Sequence, residues 1–246
     1  MPTRPGRATT ARRYMIEPVE RRVAVLASGG LDSSVLIADL AGRGLRVYPI
    51  YVRAGLRWEG DELRVLRRFV RALKRPAIVP VAVLRLPMDD LAGNHWSVTG
   101  RGVPGDRAAT ASNYILGRNL CLLSKAAVFC ARHRIGALAM APLRDNPFPD
   151  ARPQFFRAFA RAVKLGVGLQ LRILTPYIGM SKADVIARGR ALALGLTVSC
   201  IRPRGALHCG KCTKCAERAK AFRAARVPDP TVYRNRPPGW STTRSD

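Results

Sequence analysis

Long hydrophobic runs are absent from this sequence, although 48% of its 246 residues are hydrophobic. A helix that crosses a bilayer needs about 20 consecutive apolar residues, and the first residues lack the apolar region of a secretory signal. We therefore expect a globular, cytoplasmic protein with no membrane partner. Its hydrophobic content is sufficient for a large core.

Acidic residues are also scarce, because 16 Asp and Glu stand against 43 Lys and Arg and leave a formal net charge of +27. A charge of this sign attracts polyanions, which makes nucleic acid a possible partner. The arginines are spread along the chain, however, which favours a general bias in composition over a nucleic-acid surface. A nucleotide or pyrophosphate would still be attracted. Residues 1–20 and 236–246, rich in Arg, Thr and Pro, indicate disordered tails.

The six cysteines do not indicate a disulfide framework, because a chain without a secretory signal is expected in a reducing compartment. Four of them have the spacing C-x8-C-x2-C-x2-C, in which two-residue knuckles turn successive thiolates toward one centre. The pattern predicts a structural zinc site in a lobe over residues 197–235, with an iron–sulfur cluster as the alternative. His208 is expected outside the first coordination shell. The predicted ligands are Cys200, Cys209, Cys212 and Cys215.

Apolar runs typical of buried strands alternate with segments of helical length between residues 21 and 196. This alternation predicts an α/β domain with an open, mostly parallel five-stranded sheet and helices on both faces. Residues 59–73 have apolar positions at the spacing of an amphipathic helix. Residues 119–131 are apolar nearly all round and predict a buried helix. The predicted strands are 22–27, 46–52, 78–86, 137–143 and 169–175.

The stretch LASGGLDSSV follows the first predicted strand, at the turn where open parallel sheets usually bind phosphate. Gly29 and Gly30 allow a sharp turn with N–H groups close to an anion, and a helix starting near Ser33 adds partial positive charge. The lysine of a Walker A loop is absent, and Asp32 would repel a bare phosphate, which implies a bridging Mg²⁺. The predicted nucleotide-binding residues here are Leu26, Ala27, Ser28, Gly29, Gly30, Leu31, Asp32, Ser33, Ser34 and Val35.

The motif SGG-x-DS resembles the pyrophosphate loop, or PP-loop, of the N-type ATP pyrophosphatases, which form adenylates and release pyrophosphate. Together with the cysteine pattern it is similar to the 7-cyano-7-deazaguanine synthase family, and the resemblance runs over residues 22–233. It implies an adenine nucleotide alpha hydrolase-like fold. Further motifs that carry it are GRN at 117–119, FPD at 148–150, SKADVI at 181–186 and VPDPTVY at 227–233.

The resemblance also implies an activity. In that family ATP adenylates 7-carboxy-7-deazaguanine, ammonia displaces AMP to give an amide, and a second ATP drives dehydration to the nitrile. The implied partners are therefore the deazapurine and ammonia, and the implied cofactors are ATP, Mg²⁺ and Zn²⁺. We also expect a homodimer.

Several residues of these motifs have roles that follow from their position and chemistry. Arg118 and Asn119 open a predicted helix, where a guanidinium and an amide can bind a phosphate or the adenylate. Lys182 lies in the first turn of another helix, where a cation is unfavourable to the helix dipole, which indicates that it reaches a phosphate. We therefore predict catalytic roles for Asp32, Arg118 and Lys182.

Substrate binding is assigned to Asp150 and Phe148 in the second long loop. The Asp150 carboxylate could accept hydrogen bonds from two adjacent N–H groups of a guanine-like ring. The alternative is that Asp150 caps the helix that follows, and Asn119 has the same alternative.

Two segments depart from the family pattern, and both lie where an acceptor would bind. Residues 146–153 read NPFPDARP, without the cysteine of the family, and residues 51–62 replace a YGQRH-like segment. Two other functions therefore stay open. One is an enzyme that adenylates another deazapurine or a tRNA base, and the other is a zinc-knuckle module that binds nucleic acid. The intact Asp32 and serines of the loop favour an enzyme.

Overall fold

The computed structural model describes residues 21–238 and Trp240. The strands of this part of the chain are β1 (Arg22–Leu26), β2 (Arg46–Arg53), β3 (Ala82–Arg85), β4 (Ala137–Ala139) and β5 (Arg172–Leu174). They form one five-stranded sheet in the order β3-β2-β1-β4-β5, and every pairing is parallel. The predicted α/β sheet is confirmed, and the strand order changes direction beside β1, where ligands bind in such sheets.

Helices separate the strands, as the alternation in the sequence predicts. α1 begins at Leu31, two residues before the predicted start at Ser33. Helices α3 and α4 lie within the first long loop, and 3₁₀ turns cover residues 110–113, 149–151 and 194–196. The helices are α1 (Leu31–Gly42), α2 (Glu59–Ala72), α3 (Asp89–Ala92), α4 (Trp96–Thr99), α5 (Arg118–Arg132), α6 (Pro153–Val167), α7 (Lys182–Arg188) and α8 (Thr213–Ala224).

The sheet has an apolar cluster on each face. One contains buried residues of α1, α7 and α8, and the other contains those of α5 and α6. The second cluster also includes Val198 and the four cysteines of the C-x8-C-x2-C-x2-C pattern, packed together with Ala24 and Ile50 of the sheet. The cysteine segment and the sheet therefore share one core.

Two predicted elements differ from the structure. The run 78–86 contributes the strand β3 from Ala82, because Pro80 has no N–H to donate to a neighbouring strand. Helix α5 is half-buried rather than buried all round: Leu123 and Cys130 are fully buried, but Leu120 and Val128 are 47% and 56% exposed. The sheet covers one side of α5, and the opposite side faces outward.

Residues 1–20 and 241–246, on which most of the predicted tails fall, lie outside the described residues. The first residues of the second predicted tail are described. There the Arg236 guanidinium lies 5.0 Å from the centre of the Trp240 ring. None of the helices in the described part of the chain is long and apolar enough to cross a membrane.

Candidate active site

The PP-loop connects β1 to α1 and is held closely on two sides. Gly29 has φ +72°, and a Cβ at this position would lie 2.5 Å from the carbonyl oxygen of Glu62 on α2. On the other side, Val198 donates its N–H to the Gly29 carbonyl at 2.9 Å. A glycine is required here because both its backbone angle and its surroundings exclude a side chain.

Replacing Gly29 with alanine is expected to lower the free energy of unfolding by about 1–2 kcal/mol, because alanine is strained at the left-handed backbone angle. The clash of its Cβ with the Glu62 carbonyl should lower the free energy of unfolding by an additional amount. Gly44 is a matched control, because it has φ +79° and a Cβ added there would meet no atom of the described residues within 4 Å. Urea unfolding of both variants measures the difference. A Gly29→Ala variant as stable as Gly44→Ala would contradict this account of the loop.

Ser28, Gly30 and Ser33 of the loop line the cavity beside it, and hydrogen bonds within the loop hold them in place. Ser28 donates its N–H to Ser33 Oγ at 3.2 Å, and Gly30 donates its N–H to Ser28 Oγ at 3.2 Å. No side chain of the described residues caps α1, and the first N–H groups of a helix have no acceptor within it. An anion can therefore bind the amides of the first turn and the serine hydroxyls together.

Asp32 and Lys182 meet beside the loop, although 150 residues separate them in the chain. Lys182 Nζ lies 2.9 Å from Asp32 Oδ2. Burial lowers the pKa of Lys182, but the charge and hydrogen bond of Asp32 together outweigh this effect. The pKa is therefore raised overall, and the ammonium form is favoured. Ser181 and Asp184 form a capping box at the start of α7, which places Lys182 in its first turn.

A cavity of about 180 Å³ lies against the loop. Its walls combine apolar side chains with Ser28, Asp32 and Arg118. Two buried atoms that face this region, Asp32 Oδ1 and Arg118 Nε, have no hydrogen-bond partner within residues 21–238 and Trp240. Unpaired buried charges are costly, so both atoms are suited to bind a ligand or ion. The apolar lining residues are Leu26, Val52, Ala54, Leu56, Leu122 and Met140.

Two buried carboxylates, those of Glu59 and Glu62, also line this cavity. The sequence patterns did not identify them as site residues. Tyr51 Oη donates to Glu62 Oε2 at 2.9 Å, and the N–H of Ala54 donates to Glu59 Oε1. Burial raises the pKa of Glu62 to about 7, against the lowering effects of the Arg118 charge and the Tyr51 hydrogen bond. The signal in the sequence was weak, because acidic residues in the first turn of a helix are common.

The four predicted cysteine ligands are buried and come together. Their sulfur atoms lie within 4.8 Å of one another, with 3.5 Å between Cys212 and Cys215 and 3.9 Å between Cys209 and Cys215. Four thiolates around one tetrahedral zinc ion lie about 3.8 Å apart, given Zn–S bonds of about 2.3 Å. The cluster therefore fits a single zinc ion, and it leaves no position for a substrate.

Comparison with known proteins identifies the family. The model of the family described as "Queuosine biosynthesis protein QueC" matches residues 22–226. The chain belongs to the QueC family. It is 33% identical over 230 residues to the 7-cyano-7-deazaguanine synthase of Anaeromyxobacter dehalogenans, covering 87% of this chain and 96% of that protein. It is 35% identical over 229 residues to the synthase of an Azoarcus species, covering 87% and 98%.

The fold of this QueC family member is also similar to a solved structure described as a 4-thiouridine synthetase–RNA complex with bound ATP. The match has a TM-score of 0.50 at 13% identity and covers 87% of this chain and 48% of that one. At this identity the likeness concerns the fold. It agrees with the parallel α/β fold that the alternating strands and helices predict.

In the QueC chain the two predicted substrate residues lie in different environments. Asp150 is buried and accepts hydrogen bonds from Asn119, at 3.0 Å from its N–H to Oδ2 and at 3.2 Å from its Nδ2 to Oδ1. It thereby caps the first turn of α5 rather than the helix that follows it, so the predicted alternative of a cap on α6 is wrong. It is not among the residues that line the two cavities. Phe148 does line a cavity, and its ring packs 5.0 Å from that of Tyr114.

The cysteine segment of the QueC chain is joined to the PP-loop by a buried arginine. Arg218 on α8 is fully buried and donates to Thr231 Oγ1 at 2.6 Å and to Thr197 Oγ1 at 2.9 Å. Thr197 precedes Val198, which bonds to the loop. His208 accepts a hydrogen bond from the Ser199 N–H, so it lies outside the metal cluster as predicted.

Glu62 makes the stability of this QueC chain dependent on pH. An unfolded glutamate titrates near pH 4.3, whereas burial raises the pKa of Glu62 to about 7 in the fold. Between these two pH values the folded state binds a proton that the unfolded state has released. The free energy of unfolding therefore falls as the pH rises from about 4.3 to about 7. Glu62→Gln, which can keep the Tyr51 hydrogen bond, should gain about 3 kcal/mol relative to the wild type between pH 5 and pH 8. Urea unfolding at both pH values measures this gain, and a pH-independent difference would contradict it.

Proposed function

We propose that this chain converts 7-carboxy-7-deazaguanine to 7-cyano-7-deazaguanine, with ammonia as the nitrogen donor and ATP as the activator. Membership of the QueC family and the names of the relatives support this substrate. The observation that carries the proposal is the Asp32–Lys182 pair beside the PP-loop. It lies where the cavity against the loop adjoins a second cavity, and Asp32 lines both.

The first step is adenylation of the substrate carboxylate. A carboxylate oxygen bonds to the α-phosphorus of ATP while the bond from that phosphorus to the bridging oxygen breaks, and pyrophosphate leaves. The amides of the PP-loop and α1 would hold the leaving pyrophosphate. Lys182 Nζ, and Arg118 from the facing wall, would stabilise the charge that develops on the phosphate oxygens.

Asp32 is the residue suited to hold Mg²⁺. Its Oδ1 atom is buried and unpaired among the described residues, and a carboxylate oxygen is a typical Mg²⁺ ligand. When bound, the ion would neutralise the charge of the pyrophosphate group. The buried cysteine cluster would hold zinc in a purely structural role, because its four thiolates complete the coordination shell.

The second and third steps complete the nitrile. Ammonia bonds to the carbonyl carbon, AMP leaves with one carboxylate oxygen, and a proton is released to give the amide. The amide oxygen then bonds to the α-phosphorus of a second ATP, and pyrophosphate leaves. Loss of AMP and of the two N–H protons of the amide forms the carbon–nitrogen triple bond. Each carboxylate oxygen thus leaves on one AMP.

The test is incubation of the protein with ATP, Mg²⁺, ammonium and 7-carboxy-7-deazaguanine labelled with ¹⁸O in the carboxylate. We expect the mass of the nitrile, and two labelled AMP molecules for each nitrile formed. Omission of ammonium should stop nitrile formation. Unlabelled AMP would exclude an adenylate at the carboxylate, and the absence of any product would reject the proposal.

A second candidate is adenylation of a tRNA base, which the net charge of +27 favours. The same assay separates the two functions. AMP release that requires tRNA and ignores the deazapurine would support the tRNA base as the acceptor.

A further inference from the structure

A second cavity, of about 420 Å³, adjoins the one against the PP-loop. The two cavities share Asp32, Ala141 and Asn146 as lining residues. A substrate whose carboxylate reaches the α-phosphate near Asp32 would therefore extend its ring into this second cavity. Its polar lining includes Ser181, Lys182, Lys214, Glu217 and Lys220, and its apolar lining includes Phe148 and Leu143.

The Glu217 carboxylate is incompletely bonded in this cavity. Its Oε2 atom accepts a hydrogen bond from Lys214 Nζ at 2.8 Å. Its Oε1 atom is buried, and no group of the described residues donates to it. An acceptor that is removed from water and left unpaired is unfavourable, so a rotation of the side chain that turns this atom into the cavity is favoured when a ligand supplies a donor.

The other carboxylates near the cavity are less suited to read a ring. Both oxygens of Asp150 are occupied by Asn119. The Asp145 side chain is 77% exposed and pairs with Arg144. Asp32 is bonded to Lys182 beside the loop. Asp32 and Glu217 are the lining carboxylates that each have a buried, unpaired oxygen among the described residues. Asp32 belongs to the PP-loop, so Glu217 on α8 is the carboxylate left to bind a ring.

We propose that Glu217 determines the specificity of this chain for a guanine-like ring. Its two oxygens would accept hydrogen bonds from the ring N–H and the adjacent exocyclic amino group, since a carboxylate matches two neighbouring donors. Lys214 keeps Oε2 in place and leaves it a second lone pair. The ring of Phe148 lines the same cavity and offers an apolar surface to the heterocycle. This inference rests on the proposed function, and it replaces Asp150 as the residue that reads the ring edge.

The charges of the cavity agree with this orientation. The charged lining residues include two ion pairs, Lys182 with Asp32 and Lys214 with Glu217, together with Lys220 and Asp145. The substrate carboxylate would lie toward Lys182, and the donor edge of the ring would lie toward Glu217. A ring without the exocyclic amino group would leave one Glu217 oxygen without its ligand donor.

The test compares 7-carboxy-7-deazaguanine with its analogue that lacks the exocyclic amino group. We expect Glu217→Gln to raise the KM of the natural ring by about 10- to 100-fold, as a lost bidentate contact does, without changing the KM for ATP. We also expect the wild type to prefer the natural ring by a similar factor and the variant to lose this preference. Glu217→Leu, which removes the buried polar atom, is the second variant if Gln disturbs folding. Asp90→Asn, at an exposed acid on α3, is the control.

The outcomes separate this inference from the proposed function. Nitrile formation with an unchanged KM in both Glu217 variants, or with the preference between the two rings retained, overturns the inference and leaves the function intact. If the wild type forms no nitrile, calorimetric binding of the two rings decides instead. Tighter binding of the amino-bearing ring by the wild type, and equal binding by Glu217→Gln, supports the inference. Any other binding result overturns it.

Discussion

Replacing Asp32 with asparagine is expected to lower kcat/KM for AMP formation by at least about 100-fold, the range seen when an electrostatic group of an active site is removed. Asparagine keeps the shape of the side chain but loses its charge. The Lys182 ammonium then loses its partner at 2.9 Å, and the buried Oδ1 position is no longer an anionic Mg²⁺ ligand. Initial rates of AMP release at several Mg²⁺ concentrations measure the effect.

Lys182→Met should have a comparable effect, because the two side chains form one pair. The double variant Asp32→Asn with Lys182→Met should be much less than additive, as expected for groups in direct contact. Asp90→Asn is the matched control and should retain wild-type rates, because this exposed residue lies in the short helix α3, outside the lining of the two cavities. An Asp32→Asn variant with more than half the wild-type rate would contradict the proposed site.

Removal of the metal should have the largest effect on stability. Structural zinc contributes about 10–16 kcal/mol of apparent binding free energy in small zinc-dependent folds. The cysteine cluster here belongs to the core that covers one face of the sheet. We expect Cys212→Ser to abolish stoichiometric zinc binding and to lower the melting temperature by more than about 10 °C, since about 2–4 °C corresponds to 1 kcal/mol in a domain of this size.

Loss of zinc should also weaken nucleotide binding. Arg218 donates to Thr197 and Ser199, which flank Val198, and Ser199 directly precedes Cys200 of the cluster. The Val198–Gly29 hydrogen bond then connects this segment to the PP-loop. Cys121→Ser is the control, because Cys121 lies on α5 outside the cluster and should leave the zinc content and the melting temperature unchanged. Elemental analysis, thermal melts and ATP titration give the three readouts. A zinc-free Cys212→Ser protein with wild-type melting would show that the cluster is not a structural centre.

Local patterns account for the features that were predictable. The parallel sheet follows from alternating apolar runs, and the PP-loop follows from two glycines and Asp32 directly after the first strand. The cysteine cluster was predictable because two-residue spacing positions thiolates by itself. The half-buried state of α5 was not predictable from its composition, since which side the sheet covers depends on the packing of distant elements.

The sequence patterns did not predict which carboxylates line the two cavities. Asp150 had two interpretations, a ring reader or a cap of the helix that follows. The structure shows instead that it bonds to Asn119 at the start of α5, and α6, the helix that follows, has no side-chain cap among the described residues. Glu62 and Glu217 have ordinary helical surroundings in the sequence. The burial of Glu62, and of the Oε1 atom of Glu217, depends on contacts between segments far apart in the chain.

The sequence by itself determined the fold class, the position of the PP-loop and the four cysteines that come together, because each depends on residues close together in the chain. The tertiary structure alone decided that Lys182 reaches Asp32, that Glu62 is buried with a raised pKa, and that Glu217 keeps an unused oxygen in the second cavity. The physical reason is that desolvation and ion pairing depend on which surfaces meet in space. A linear pattern does not contain that information.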